Sequence, residues 1–495
     1  MMRPEYISAW ALPVRKAAFV LLSFVFTFFA VSCTEEKVSS DPALRLAFSA
    51  DTVRFDTVFT TLGSSTLAVM VYNHNPYAVN IQSVSVSTDY FQINLDGEND
   101  RNRLQNITLN GRDSLFLFIR ATIDPQDVNT PVFLTDSVCF MLNGHSQRII
   151  LEAYGQNVHI IKSPTRYSQE LEYHFTADKP YLIFDTLSVL GATTMDAGST
   201  LYMHAGTSLY LHGEVKARGT LERPVRITGD RLDRLFPKVP YQMASGQWGG
   251  IYLVGSKAQQ TPDTLSYVEV LSGNIGLFAY SEDAASPRHL VLANARIHNH
   301  ARYGVVLQNV EANVYNSEIS NCASYCLFLS GGRYVLTHNT IASFFGYPYS
   351  NLNIHTTGRE DVPAVYINLR DSIAPPASVR LYNNIITGAR LNNLVFDTVF
   401  ASDYDGEFAN NYVLADSVLA PWSHDNVYGT KEDTVFVNTH YLHGEYKYYD
   451  FRLDSISPAR GVGSTVYALP YPFDRSGFPR QIFIDAGCYQ WQPVW

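Results

Sequence analysis

Cysteine is scarce: the 495-residue chain has five, at Cys33, Cys139, Cys322, Cys326 and Cys488. So sparse a set argues against a disulfide-stapled scaffold, and without paired Cys/His spacings it does not make a zinc site. Cys139, Cys322, Cys326 and Cys488 therefore read as small buried apolar side chains. Lysine is missing altogether between Lys257 and Lys431, and the formal net charge is −10. A nucleic-acid binder needs a basic footprint to displace counterions, so nucleic acid is not an expected partner. Phosphate loops, dinucleotide fingerprints and serine elbows are absent. Beyond Ala30 no apolar run is long enough to span a bilayer as a helix. Aromatic residues are what the chain has in quantity, at 13% and led by Tyr and Phe, which favours β-structure. Its length calls for at least two folded units.

The N-terminus is strongly patterned. Arg15 and Lys16 precede an apolar run from Ala17 to Ala30, which ends in Ala30-Val31-Ser32-Cys33. Charge, a short apolar core and small residues in that order read as a secretory signal over residues 1–32. The small residues before Cys33 resemble the lipobox of bacterial lipoproteins. That resemblance implies cleavage before Cys33, acylation of its thiol, and a membrane partner held by lipid rather than by a spanning helix. Residues 33–45 then form a linker. Thr34 after the cysteine resembles outer-membrane sorting, and Glu35-Glu36 resembles the acidic export tag of surface lipoproteins in some Gram-negative anaerobes. A plain solvated linker is the alternative. The expected location is the outer membrane, facing outward.

Residues 46–160 alternate short strand-like runs with turns. Strands are expected over 66–72, 79–86, 91–95, 114–119, 137–142 and 148–154, separated by Asn75-Pro76, Asp96-Gly97, Asn110-Gly111 and Asn143-Gly144. Leu67, Val69 and Val71 alternate with their neighbours, as do Leu115, Leu117 and Ile119, which predicts a sandwich with one wet face per sheet. The stretches STLAVMVYNHNPYAVNI, DYFQINLDG and GRDSLFLFIRATIDP resemble immunoglobulin-like modules that precede β-helices in bacterial surface lipoproteins. They are similar also to major-sperm-protein-type sandwiches. The resemblance implies a spacer without catalytic residues.

Residues 161–495 carry a repeat. Six hexads begin and end on an apolar residue: 265–270, 292–297, 314–319, 336–341, 381–386 and 408–413. An odd separation in a straight strand would put the two ends on opposite faces, so a bend must lie between them. The third residue marks it: Tyr267, Asn294, Asn316, His338, Asn383 and Asn410. Asn tolerates the left-handed backbone that a tight corner requires. Copies recur every 22 to 27 residues or so, with one doubled interval where residues 343–363 add a loop. The pairs Val305/Leu307, Leu327/Leu329 and Leu394/Phe396 supply a second inward face. Coils of a parallel β-helix follow; a leucine-rich horseshoe is the rival, but its helical return segments have no counterpart. The opening segments DAGSTL, AGTSL, GEVKARGT, RPVRI and GQWGGI (residues 196–251) resemble the first coils of right-handed, pectin-lyase-like β-helix proteins. The closing segments DFRL, SPA, DRSG and DAG (residues 450–487) resemble that family's terminal cap. The resulting fold class is all-β: an N-terminal β-sandwich followed by a right-handed parallel β-helix.

For chemistry, the fold resemblance directs attention to polysaccharide lyases and hydrolases. A lyase needs a cation to neutralise a uronate and a base beside it; a hydrolase needs paired carboxylates. Arg296, Arg302 and Arg333 lie on or near the coils with no carboxylates at matching offsets in adjacent repeats, and Arg296 reads as solvated. Asp403-Tyr404-Asp405-Gly406-Glu407 lacks a full calcium ligand series. His298 and His300, alternate residues on a strand that would point the same way, read as surface polar groups rather than metal ligands. No catalytic residue, metal or cofactor is assigned. Trp248, between glycines, reads as packing. The insertion bearing Phe344, Phe345, Tyr347 and Tyr349 breaks the repeat and is the candidate ligand-binding loop, its rings suited to stacking on sugars or to capping the core. The function expected is a cell-surface, non-catalytic binding or structural role, with a polysaccharide or surface protein as partner. A polysaccharide lyase or glycoside hydrolase is the alternative.

Overall fold

The computed structural model describes residues 37–97, 103–125, 127–163, 167–236, 239–255, 261–283, 286–345, 362–368, 378–397, 405–416, 423–439 and 449–493. The chain divides into two compact units, one of Met1–Asp124 with Phe133–Tyr154 and one of Pro125–Val132 with Gly155–Trp495. Among the described residues no helix is long and apolar enough to cross a membrane.

The first unit is an antiparallel sandwich. One sheet runs in the order Ala47–Phe48, Leu67–Tyr72, Ser114–Ala121, Phe91–Leu95. The other runs Thr52–Phe59, His145–Gln156, Val132–Leu142, Val79–Ser85, Arg103–Leu109. Alternation decides which side faces in: Val69 pairs with Leu117, and both are buried against Val84, Phe140 and Leu151 of the other sheet. Asn143 and Gly144 both have positive φ, 45° and 82°, and close the two-residue hairpin between Val132–Leu142 and His145–Gln156. The strand Arg103–Leu109 escaped the sequence pattern for a local reason. Leu104 and Ile107 are both buried although three apart, because Asn106 at φ 58° re-aims the chain between them.

The second unit is built from three long parallel sheets: eleven strands from His159–Ile161 to Val427–Gly429, nine from Tyr167–Glu170 to Leu394–Asp397, and ten from Tyr173–Phe175 to Ser423–His424. We call these the first, second and third sheets. Successive strands of the chain visit the sheets in turn and pair with the strand one coil away, which is the architecture of a parallel β-helix. All three sides of a coil are strand, so the leucine-rich alternative falls.

The six hexads straddle the corner from the third sheet to the first. Their opening residues align rung to rung as Leu292, Val314, Leu336, Leu381 and Phe408. Their closing residues align as Ile297, Ile319, Ile341, Ile386 and Val413. All are buried in one continuous core. Each marked residue is left-handed, with φ of 49° at Tyr267, 52° at Asn294, 49° at Asn316, 55° at His338 and Asn383, and 57° at Asn410. That single residue turns the chain so that both hexad ends point inward.

The residue after each corner makes a buried hydrogen-bonded ladder. Ala295 N donates to Ser317 Oγ (3.1 Å), Ser317 N to Asn339 Oδ1 (3.0 Å), Asn339 N to Asn384 Oδ1 (2.9 Å), Asn384 N to Asn411 Oδ1 (2.8 Å) and Asn411 N to Asn426 Oδ1 (2.9 Å). Amide nitrogens of Asn339, Asn384 and Asn411 donate onward to Val314, Leu336 and Leu381 carbonyls. The ladder satisfies corner backbone that water cannot reach. From Ala293 onward this edge keeps one length: two residues separate Ala293 from Arg296, Tyr315 from Glu318, Thr337 from Thr340, Tyr382 from Ile385 and Ala409 from Tyr412. The edge from second to third sheet does not. It spans the single Asn309 in one coil, Gly331-Gly332 in the next, and residues 369–377 in another.

That variable edge holds the one fully buried ion pair among the described residues. Arg288 Nε donates to Asp263 Oδ2, with the two side chains 1% and 0% exposed. Arg288 also donates to the carbonyls of Val254 (2.9 Å) and Gly213 (2.5 Å), while Asp263 Oδ1 accepts from Val215 N (2.8 Å).

Candidate functional site

The outward side of the second sheet is aromatic. Inward positions there are Val305, Leu307, Leu327 and Leu329, all buried, so the residue between each pair points out. Read across the rungs, the outward positions align as Tyr210, Tyr252, Phe278, Val306, Phe328, Tyr366 and Val395. Tyr210 and Tyr252 stack with centroids 4.7 Å apart at 14°, and Phe328 and Tyr366 lie 5.8 Å apart at 4°. Tyr325 joins from the preceding corner, 5.0 Å from Tyr366 and 5.8 Å from Phe328, and Tyr303 lies 6.1 Å from Tyr325. Centroid separations from 4.7 to 6.1 Å mean that the rings are offset, since full face contact brings carbons to about 3.5–4.0 Å. Part of each outer face thus stays open, and all of these rings are half-buried.

Polar groups border the ribbon. Two residues along each strand, Tyr280, Gln308, Ser330, Asn368 and Asp397 align in register, and Tyr366 donates its hydroxyl to Asp397 (2.7 Å). On the opposite side the exposed Arg302 places its guanidinium 5.7 Å from the Tyr303 ring centre. Burial raises the Tyr252 hydroxyl above its ordinary value, with Tyr210 adding to the effect and Arg302 opposing it. The Tyr252 hydroxyl is therefore a neutral donor and acceptor at physiological pH.

A second cluster sits on the third sheet. His289, Glu311 and Arg333 occupy three successive rungs in register. Glu311 Oε2 is 3.1 Å from His289 Nδ1, and its Oε1 is 3.4 Å from Arg333 Nη1. They edge an open groove of about 470 Å3 floored by Val291, Asn313 and Val335.

The candidate loop is described only at Phe344 and Phe345, both half-buried; Tyr347, Tyr349 and the anchor Cys33 lie outside the described residues. Phe344 N donates to Asn321 Oδ1 (3.0 Å), and its ring lies 6.2 Å from Phe451 and 6.4 Å from Phe436. It forms one wall of a cavity of about 570 Å3 shared with Leu414, Lys431 and Asp433. Trp248 is buried, its Nε1 donating to Leu271 O (2.9 Å). Asp403 and Tyr404 fall outside the described residues. Asp405 pairs with Arg380 (3.0 Å), and Glu407 accepts from Tyr382 and Tyr467.

Three expectations need correction. Arg296 is half-buried rather than freely solvated: its Nε lies 3.1 Å from Glu318 Oε1, beside a C-terminal segment whose Tyr489 hydroxyl donates to Glu318 Oε2 (2.6 Å). Nor do the arginines lack matching carboxylates, since Arg226, Glu269, Arg296 and Glu318 stand in register on the first sheet. His298 and His300 are not surface groups that share a face. Asn299, at φ 65°, turns the chain between them, so His300 is buried with Nε2 3.1 Å from Val270 O. His298 packs its ring against Tyr449 and Phe451.

These groups set an acid dependence. Burial, followed by Arg296, lowers His298 from the ordinary 6.5 to about 3, and burial lowers His300 to about 4. Burial would raise the Glu318 carboxyl, but Arg296 and Arg475 together outweigh it and bring it from 4.5 to about 2. Below about pH 6.5 the unfolded chain takes up protons at both histidines that the folded chain refuses, so stability falls as pH drops toward 3 to 4. The stabilisation from ionised Glu318 is complete above 4.5 and is lost as pH falls toward 2. Thermal melts should show a midpoint that declines steadily between about pH 7 and about pH 4, with His300→Asn flattening the upper part.

No family model and no curated protein matches the chain. Among solved structures it is similar to a family 123 glycoside hydrolase from Clostridium perfringens, described in a study of glycolipid glycan hydrolysis, at 8% identity and TM-score 0.19, covering 25% of this chain and 31% of that one. It is similar to PapD-like domain 7 of human CEP192 at 13% identity and TM-score 0.17, covering 26% of this chain and 96% of the domain. It is similar to the E. coli chaperone DraB at 16% identity and TM-score 0.17, covering 23% and 55%. The chain thus spans about a third of the hydrolase and about half of the chaperone. Likeness at this level assigns neither fold nor activity.

Proposed function

We propose that this chain is a lipoprotein of the outer-membrane surface, anchored through acylated Cys33, whose pectin-lyase-like β-helix binds glycans without turning them over. The immunoglobulin-like sandwich is its spacer. The observation that carries the glycan reading is the aromatic ribbon of the second sheet, Tyr210 to Tyr366, bordered by Gln308, Ser330 and Asn368. Tilted rings give a sugar apolar faces, and a row of hydroxyl and amide groups beside them gives its hydroxyls partners. The loop bearing Phe344, Phe345, Tyr347 and Tyr349 extends the same chemistry.

The catalytic alternative has one cluster in its favour. Glu311 can orient His289 through Nδ1, leaving Nε2 as a base toward the groove, with Arg333 alongside for an anion. Affinity electrophoresis of the full chain in gels containing neutral or acidic polysaccharides tests both readings. Retardation in at least one gel is expected, and Tyr325→Ala/Tyr366→Ala should weaken it about tenfold, the loss of roughly 1.4 kcal/mol of stacking. Migration unchanged in every gel overturns glycan binding. Release of unsaturated or new reducing ends that stops in His289→Ala establishes the catalytic reading instead.

A further inference from the structure

We propose that Cys322 and Cys326 are a redox pair that closes a disulfide across one corner of the β-helix when the chain matures in a thiol-oxidising compartment. The compartment rests on the extracytoplasmic reading above; the pairing rests on geometry alone. Cys322 ends the strand Glu318–Cys322 of the first sheet, and Cys326 directly precedes the strand Leu327–Ser330 of the second. Asn321, at φ 53°, bends the chain ahead of the corner, so two side chains four residues apart enter the same interior, 2% and 0% exposed. Both side chains belong to the same continuous core. Their other partners are chiefly backbone: Cys322 Sγ is 3.6 Å from Ser320 O, and Cys326 Sγ 3.7 Å from Ala342 O.

The packing around them is close. A Cβ on Gly304, one rung away, would come within 3.0 Å of Cys322 Sγ and 2.5 Å of Cys326 O. That rung leaves no room for the corner to open toward it. Both thiols are free in the structure, as are Cys139 and Cys488. Cys488 is far along the chain and half-buried Cys139 belongs to the sandwich, so no other pair shares a corner. Burial raises the Cys322 thiol well above its ordinary value; burial acts the same way on Cys326, but hydrogen bonds with Cys322, Ser343 and Asn321 together bring that thiol below its own.

One of the two thiols ionises while the corner is open and attacks. It displaces one sulfur of an oxidant disulfide, such as a dithiol oxidase or oxidised glutathione, to give a mixed disulfide. The other thiol then loses its proton and attacks the first cysteine's sulfur, which expels the second oxidant sulfur as a thiol. Two protons and two electrons pass from the pair to the oxidant. Because the folded corner is sealed, exchange takes place before the coil closes, and the product is shielded from reductants afterwards.

The full chain, recovered from expressing cells lysed into N-ethylmaleimide and denaturant, gives the test by peptide mass. Trypsin leaves both cysteines in the peptide that follows Arg302 and ends at Arg333. In protein from the membrane fraction this peptide should be unalkylated and lighter than the dithiol by two hydrogens, gaining two labels only after reduction. Cys139 and Cys488 should be labelled without reductant. Two labels on the unreduced peptide from the membrane fraction overturn the proposal. Should the chain stay in the cytosol, the placement reading fails separately. Isolated protein opened in mild denaturant with oxidised glutathione then decides the pair: an internal disulfide upholds it, and two glutathione adducts refute it.

Discussion

Arg288→Met is expected to cost about 3–5 kcal/mol of folding free energy, because it strands a buried carboxylate. Asp263 has no exposed surface, and Arg288 both neutralises it and serves the carbonyls of Val254 and Gly213. Methionine fills the space but offers none of these donors. Arg288→Lys should recover little, since one ammonium cannot reproduce a fork that reaches three acceptors on two coils. Arg288→Met with Asp263→Leu should sit between the wild type and the single variant. It removes the stranded charge, yet Val215 N loses Asp263 Oδ1 as its acceptor. Guanidinium unfolding midpoints of the four proteins measure the order. A single variant as stable as wild type would mean that water reaches this corner.

Asn384→Leu should cost about 3 kcal/mol with almost no change in side-chain volume. Asn384 Oδ1 accepts from both the backbone and the side-chain amide of Asn339, and its Nδ2 donates to Leu336 O and Asn411 Oδ1. Leucine leaves Asn339 N and Leu336 O buried without those partners. Serine is the instructive control, because Ser317 already occupies the corresponding rung and its Oγ accepts from Ala295 N. Asn384→Ser should therefore lose less than Asn384→Leu in the same unfolding measurement. Equal losses would show that the rung depends on volume rather than on hydrogen bonds.

The corner was legible in the amino-acid sequence because a left-handed residue leaves a compositional trace. Asn294, Asn316, Asn383 and Asn410 stand where only a short polar side chain tolerates the backbone cheaply, and Tyr267 and His338 were placed by their apolar flanks. The asparagines of the ladder lie one position later, at Asn339, Asn384 and Asn411, and their role depends on a partner one coil away that no local window contains. The aromatic ribbon was hidden for the same reason. Tyr210 and Tyr252 are adjacent only after the segment holding the hairpin Arg234–Phe236 with Val239–Pro240 has been looped out. Arg296 looked solvated because the segment that covers it and Glu318 comes from residues more than a hundred positions downstream. His298 and His300 misled through the assumption of an unbroken strand, which Asn299 violates.

The unequal edges of the coil have a practical consequence for protein engineering. One extra residue at the asparagine edge would exchange every inward and outward side chain of the strand that follows, so that edge has to be copied unchanged in any redesigned array. At the edge from second to third sheet the chain already swells and shrinks from rung to rung without disturbing the stack, and foreign peptides belong there. A graft at that position would emerge beside the Tyr210–Tyr366 face and give a displayed binder a replaceable rim on an unaltered frame.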